Sequence, residues 1–203
     1  MHILENEILR IGVKTAGAEL CSIRSLATGR EYMWDGDPTY WANHAPVLFP
    51  IVGGLRDGSY RYQGQSYSLP KHGFVRHNEA VFLEEKTAYS LKLGLLASET
   101  TRAQYPFDFA FHVTFSLQGP VLSVAHNIYN AGNEDLLFSL GGHPAFRCPF
   151  FEGENYADYF LEFDRPEHVR TWDLDAEGLI AGPGRLMLEN EAVLPLHKNL
   201  FDH

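Results

Sequence analysis

Cysteine is scarce: the 203 residues carry two, Cys21 and Cys148. Two thiols cannot build a disulfide framework, and their spacing matches no zinc site, so they read as reduced thiols of a cytoplasmic protein. No stretch approaches about 18 uninterrupted apolar residues. The start, Met1 to Glu7, has no basic region leading into an apolar run, so neither secretion nor membrane insertion is expected. Positive charge is also in short supply. Sixteen Lys and Arg face 26 Asp and Glu, for a formal net charge of −10. Such a surface repels phosphate backbones and anionic lipid, which argues against nucleic-acid and membrane partners. Neutral ligands remain open, because their recognition does not depend on net charge. No GxGxxG or P-loop pattern supports nucleotide binding. There is no His-x-His, and His72 and His77 lie five apart, which suits neither face of one strand, so no metal site is expected. Helix signal is confined to Ser98–Tyr105, where Ser98 can cap, Glu99 and Thr100 fill the first turn and Pro106 stops the run.

What the chain does have is aromatic bulk and period-two alternation. Fourteen Phe and ten Tyr within a 45% hydrophobic composition supply a sizeable core, each buried aromatic being worth roughly 2–3 kcal/mol of transfer free energy. Residues 108–117 alternate large and small groups, Gln118-Gly119-Pro120 breaks the run, and 121–130 resume it, which predicts a hairpin. Residues 60–62 and 66–69 predict a second hairpin, and 78–85 with 88–97 a third. Further strands are expected at 7–13, 17–26, 30–34, 136–141, 158–163, 169–173 and 185–195. Short strands with turn signals every 8–12 residues point to an all-β fold, a large antiparallel sandwich or barrel. With no linker, repeat or low-complexity tract, residues 1–203 are expected to form a single domain.

Three segments could carry chemistry. Trp41 to Gly54 (WANHAPVLFPIVGG) is aromatic, proline-punctuated and glycine-terminated; it can line a cleft with rings and backbone groups, or be a strand followed by a tight turn. His72 stands between Lys71 and Gly73, whose conformational freedom lets the imidazole project from a turn. Arg76 and His77 follow closely, and the cluster reads as a binding site or as a polar surface loop. His143 lies in Gly141-Gly142-His143-Pro144-Ala145-Phe146, behind an apolar run. Pro144 biases it towards an extended conformation, fixing its imidazole at a strand end. The alternative is a histidine hydrogen-bonded at a sheet edge. His112 and His126, inside predicted strands, are expected to be satisfied sheet residues.

On these residues the sequence resembles the aldose 1-epimerase (galactose mutarotase) family, and more narrowly its LacX-like branch. The likeness rests on WANHAPVLFPIVGG at 41–54, KHGFVR at 71–76 and GGHPAF at 141–146, with Leu200-Phe201-Asp202-His203 as a fourth landmark, all in family order. It implies a β-sandwich of the galactose-mutarotase type, with 1–203 corresponding to the N-terminal and central part of the family domain and the C-terminal part expected beyond it. It implies interconversion of the α and β anomers of a free aldohexose, without metal or organic cofactor. By the same resemblance His143 falls on the family's general acid and His72 on the histidine that binds and polarises the sugar, both catalytic; Asp202 falls on a carboxylate that binds hydroxyls. Where many members have an arginine directly after Gly53 this chain has Gly54, and Arg56, with Arg76, is the nearest candidate for substrate binding. The family's general base is a glutamate in a C-terminal segment; Glu152, Glu154, Glu162 and Glu167 are present but sit in no matching motif. A non-catalytic carbohydrate-binding protein or truncated family member lacking the base is therefore the alternative, a cupin-like metal enzyme a more distant one, and a homodimer is one way such a chain could be completed.

Overall fold

A computed structural model of the chain describes residues 1–201. The predicted hairpins form with little adjustment. Strands β1 (His2–Glu5), β2 (Leu9–Val13) and β3 (Leu20–Ser25) make a three-stranded antiparallel sheet. The two-residue strand β4 (Val47–Leu48) follows a long loop, and β5 (Ser59–Tyr62) and β6 (Gln65–Ser68) form a small hairpin. Next come β7 (Phe82–Lys86), β8 (Ser90–Leu96), the one-turn helix α1 (Glu99–Arg102), β9 (Phe109–Gln118) and β10 (Val121–Asn130). These four strands make an antiparallel sheet in the order β10-β9-β8-β7. Ser98 caps α1 as expected: its hydroxyl accepts the Thr101 N–H, and the Thr101 hydroxyl accepts the Ser98 N–H in return. Beyond lie β11 (Gly141–Gly142), β12 (Phe160–Leu174) and β13 (Ile180–Pro195).

The fold is all-β and antiparallel, with a core laid down by alternation. Along β9, Phe109, Phe111, Val113, Phe115 and Leu117 are buried, while Ala110, His112, Thr114 and Ser116 between them are only half-buried. Phe49 is the hub, its ring centroid 5.0 Å from that of Phe111, 5.4 Å from Phe109 and 6.1 Å from Tyr105. Tilted and edge-on ring pairs at these separations each add about 0.5–1.5 kcal/mol beyond area burial.

The chain divides into two compact units, Met1–Phe146 and Arg147–His203. The first holds the core described above. The second is built on the long antiparallel ribbon β12–β13, which buries Leu188 and carries several register shifts. Strands expected separately at 158–163 and 169–173 are one bent strand. Residues 163–166 have no register partner, and this gap contains Pro166, which cannot donate to a ladder and is tolerated at such irregularities.

Other expectations fail for want of partners. Residues 30–34 are not a strand: they make only isolated bridges, Arg24↔Glu31 and Met33↔Phe146. The apolar run 136–140 is irregular, and β11 begins only where Gly141 meets Leu48. The strand expected from residue 17 starts at Leu20, because Ala16–Ala18 turn tightly. Strand β1 was not anticipated. No helix among the described residues is long and apolar enough to cross a membrane.

Candidate active site

The two singled-out histidines reach one place by different routes. Gly73 pairs with Phe49 in a parallel bridge, and the Phe74 N–H donates to the Phe49 carbonyl at 3.1 Å. Gly73 has φ +72°, and a Cβ there would lie 2.1 Å from the Phe49 oxygen. Only glycine fits, and the turn it makes delivers His72. His72 itself has φ +69°, a left-handed conformation that costs a non-glycine residue roughly 1–2 kcal/mol. The surroundings hold it there reciprocally: the His72 N–H donates to the Gly53 carbonyl at 2.8 Å, and the Gly53 N–H donates to His72 Nδ1 at 3.0 Å.

That last bond selects a tautomer. An accepting Nδ1 is unprotonated, so the neutral ring carries its proton on Nε2, which is left as a donor. Burial lowers the His72 pKa below the ordinary value, and the charges of Arg76, Lys71 and His143 push the same way. The ring is therefore neutral at neutral pH.

His143 arrives from β11. Gly142 pairs with Val47 and Gly141 with Leu48, and the His143 N–H donates to the Pro46 carbonyl at 3.2 Å. A Cβ on Gly141 would meet Val52 Cγ2 at 2.9 Å and Leu48 Cδ1 at 3.2 Å, so a larger residue there must displace these side chains; Gly142 has open space. The exposed imidazole of His143 lies against Trp41, with ring centroids 4.9 Å apart and planes tilted by 39°. The His72 and His143 rings are 6.5 Å apart, nearly edge to face. The 41–54 segment places the Trp41 ring beside His143 and also forms the short strand Val47–Leu48 with a positive-φ turn at Gly53.

A residue that sequence reasoning missed underlies this arrangement. Glu19 is only 5% exposed. Its carboxylate accepts the backbone N–H groups of His44 at 2.6 Å and Ala45 at 3.2 Å, and Lys14 Nζ at 3.1 Å. The His44 carbonyl in turn accepts the Ala145 N–H at 2.8 Å. Glu19 therefore anchors the strand entry against which the His143 loop is hung. Its partners lie 25 and 26 residues away, and no local pattern marks it; a lone acidic residue between Ala18 and Leu20 in an apolar strand start was the one available signal.

The other candidates are spread out. Arg76 is half-buried in the tight turn Val75–His77, close enough for its charge to act on His72. Arg56 is exposed on the turn Arg56–Gly58. Asp202 lies outside the described residues. Glu154 accepts the Tyr159 hydroxyl and the Phe151 N–H, and Glu167 pairs with Arg165 at 3.2 Å. His112 is satisfied, as expected, by Glu84 at 3.1 Å. His126 is not: its Nε2 is buried without a hydrogen-bond partner, because the core face of β10 on which it sits offers Phe111, Val113 and Phe115 opposite rather than polar groups. No three His, Cys, Asp or Glu side chains cluster as metal ligands among the described residues.

Comparison with known proteins agrees with the motifs. The profile of the family described as Aldose 1-epimerase matches residues 2–182. The chromosomal LacX protein of Lactococcus lactis subsp. lactis is 36% identical over 208 residues, covering 98% of this chain and 69% of LacX. A galactose mutarotase related enzyme from Lactobacillus acidophilus superposes with TM-score 0.90 at 34% identity, over 99% of this chain and 66% of that one. A galactose mutarotase-like protein from Lactobacillus casei gives TM-score 0.88 at 29% identity, over 100% and 69%. The chain thus spans about two thirds of the length of these relatives. From the family profile, the 36% identity to LacX across almost all of this chain and the shared fold, this chain belongs to the aldose 1-epimerase family.

Proposed function

We propose that the chain acts on the ring oxygen of a free aldohexose and interconverts its α and β anomers, with His143 as general acid and His72 as the group that binds and polarises the sugar. The observation that carries this reading is the pair of imidazoles 6.5 Å apart, one of them held as an Nε2–H donor by the Gly53 N–H.

The steps balance as proton transfers. The anomeric hydroxyl loses its proton to a base while His143 gives a proton to the ring oxygen; the C1–O5 bond breaks and the open-chain aldehyde forms. Rotation about C1–C2 and reversal of the steps close the ring on the other face and return both protons. His72 donates a hydrogen bond from Nε2 to a sugar oxygen, and Trp41, its ring tilted by 39° to that of His143, offers an apolar face to the C–H side of the sugar. Arg56 and Arg76 are proposed to bind hydroxyls, as is Asp202. Each positioned acid or base contributes typically about 10²–10⁴ in rate. Water can serve as the base at an exposed site, at the loss of one such factor.

Polarimetry or NMR of freshly dissolved α-glucose and α-galactose tests the proposal. Anomer exchange should be faster with protein than without, and no acceleration on any common aldose would refute it. His143→Ala is expected to lower kcat by about 10²–10⁴; an unchanged kcat refutes its role as acid. A second reading, sugar binding without catalysis, rests on the same pair of imidazoles, which can hold sugar hydroxyls without transferring a proton. It predicts saturable sugar binding by calorimetry with no anomer exchange.

A further inference from the structure

Lys14, Glu19 and His44 form a cluster that the proposed proton transfers do not use. Lys14 Nζ donates to Glu19 Oε2 at 3.1 Å and to His44 Nδ1 at 3.4 Å. An ammonium can only donate, so Nδ1 is the accepting nitrogen and the neutral ring carries its proton on Nε2. The Asp35 backbone accepts a hydrogen bond from that ring. The ring also lies directly on Gly36, where a Cβ would come 2.6 Å from His44 Cε1 and 2.9 Å from Nε2. Burial, then the Lys14 charge, lowers the His44 pKa against the opposing pull of Glu19 and Asp35. The ring therefore keeps the neutral form that this arrangement requires.

The segment under the ring is tied to itself and to the His143 loop. The Asp37 carbonyl accepts the Trp41 N–H at 2.8 Å and the Tyr40 N–H at 3.0 Å, and the Asp37 carboxylate accepts the Thr39 N–H at 2.8 Å. The Trp34 indole N–H donates to the Trp41 carbonyl at 2.8 Å. Next to His143, the Ala145 carbonyl accepts the Trp34 N–H at 3.0 Å. Residues 34–41 are thus cross-tied from end to end, and a grip at Asp35 and Gly36 is a grip on the Trp41 ring, 4.9 Å from that of His143. We propose that His44 is a positioning residue: through its bond to the Asp35 backbone and its contact with Gly36, its imidazole sets the 34–41 segment so that Trp41 packs on His143. The inference rests on the reading of His143 as the acid, and it adds a side chain outside the reacting pair that holds the acid's neighbour in place.

NMR of the full chain tests it without substrate. The wild type should show nuclear Overhauser contacts between the Trp41 indole and the His143 ring, and a ring-current displacement of the His143 ring protons. His44→Phe keeps a ring over Gly36 but removes both nitrogens; it should abolish the contacts and bring the His143 protons back towards free-histidine values. His44→Gln and His44→Asn both lose the ring and differ in what they keep. The Gln amide nitrogen takes the place of Nε2 and still donates to Asp35, so the contacts should return. The Asn carbonyl takes the place of Nδ1 and faces Lys14, so they should not. In anomer exchange kcat should follow the same order, falling by up to about 10²-fold in the Phe and Asn variants, as a small misplacement of reacting groups can do, and recovering in the Gln variant. Intact Trp41–His143 contacts in His44→Phe, or equal loss in the Gln and Asn variants, overturn the proposal. The contacts are read without turnover, so a wild type that exchanges no anomers counts against the function proposed for the site, while the spectra still decide the role of His44.

Discussion

Three glycines near the two histidines should respond very differently to one added methyl group. At Gly142 an alanine Cβ meets nothing within 4 Å, and the backbone is ordinary extended chain. Gly142→Ala should leave stability unchanged or raise it slightly, since alanine narrows the unfolded ensemble by about 0.4–1 kcal/mol. At Gly53 the space is also open but φ is +85°. Gly53→Ala should cost about 1–2 kcal/mol of backbone strain. At Gly73 the strain at φ +72° is joined by a Cβ 2.1 Å from the Phe49 carbonyl oxygen. No side-chain rotation relieves a backbone contact, so the turn must move. It then gives up the Phe74 N–H to Phe49 carbonyl bond, worth about 0.5–1.5 kcal/mol net and more if either group stays buried and unpaired. With the strain of about 1–2 kcal/mol, Gly73→Ala should lose about 1.5–3.5 kcal/mol, a large share of the roughly 5–15 kcal/mol that holds a domain folded. At a urea slope of about 1–3 kcal/mol/M that lowers the unfolding midpoint by roughly 1–2 M. Urea titration followed by tryptophan fluorescence measures it. Equal losses at all three positions, or the smallest loss at Gly73, would show that the close approach of this turn to Phe49 does not hold His72 in place.

Glu19→Ala leaves the His44 and Ala45 N–H groups without their acceptor, at about 1–3 kcal/mol for each one that stays buried. The expected result is a lower urea midpoint together with altered NMR shifts at Ala145 and His143; a change confined to stability would separate Glu19 from the His143 loop. The histidines also set a pH dependence. His2, His44, His72 and His126 all have pKa values lowered from 6.5, with burial as the leading cause. The unfolded chain therefore binds more protons than the folded one between those lowered values and 6.5. Their stabilising contribution is complete above about pH 6.5 and is lost as pH falls through the window. The thermal midpoint should drop between pH 7 and pH 5, and replacing His126 with Phe should flatten that slope; an identical slope in the variant refutes the assignment.

Much of this was written in the chain itself. Alternation of bulky and small residues determined β9 and β10, because a pleated strand sends neighbours to opposite faces and only one face of this sheet is buried. Ser98 marked the start of α1 through local hydrogen bonding, but the helix ends at Arg102, short of the Tyr105 to which Pro106 was expected to let it run. Gly73 and Pro144 marked where each histidine leaves its backbone, and the order of three motifs placed the chain in its family. Tertiary structure decided the rest, wherever a property depends on a partner distant in sequence. Residues 30–34 and 136–140 have strand-like composition, but composition supplies no ladder partner. Pro166 lies in the register gap that lets two expected strands run on as one. Glu19 acquired its role from backbone N–H groups 25 and 26 residues away, and His126 lost its expected partner because its neighbours across the sheet are apolar. The meeting of His72 with His143 is of the same kind: each histidine is legible alone, but their 6.5 Å separation exists only because Phe49 draws in one turn and Val47–Leu48 pairs with the strand that carries the other.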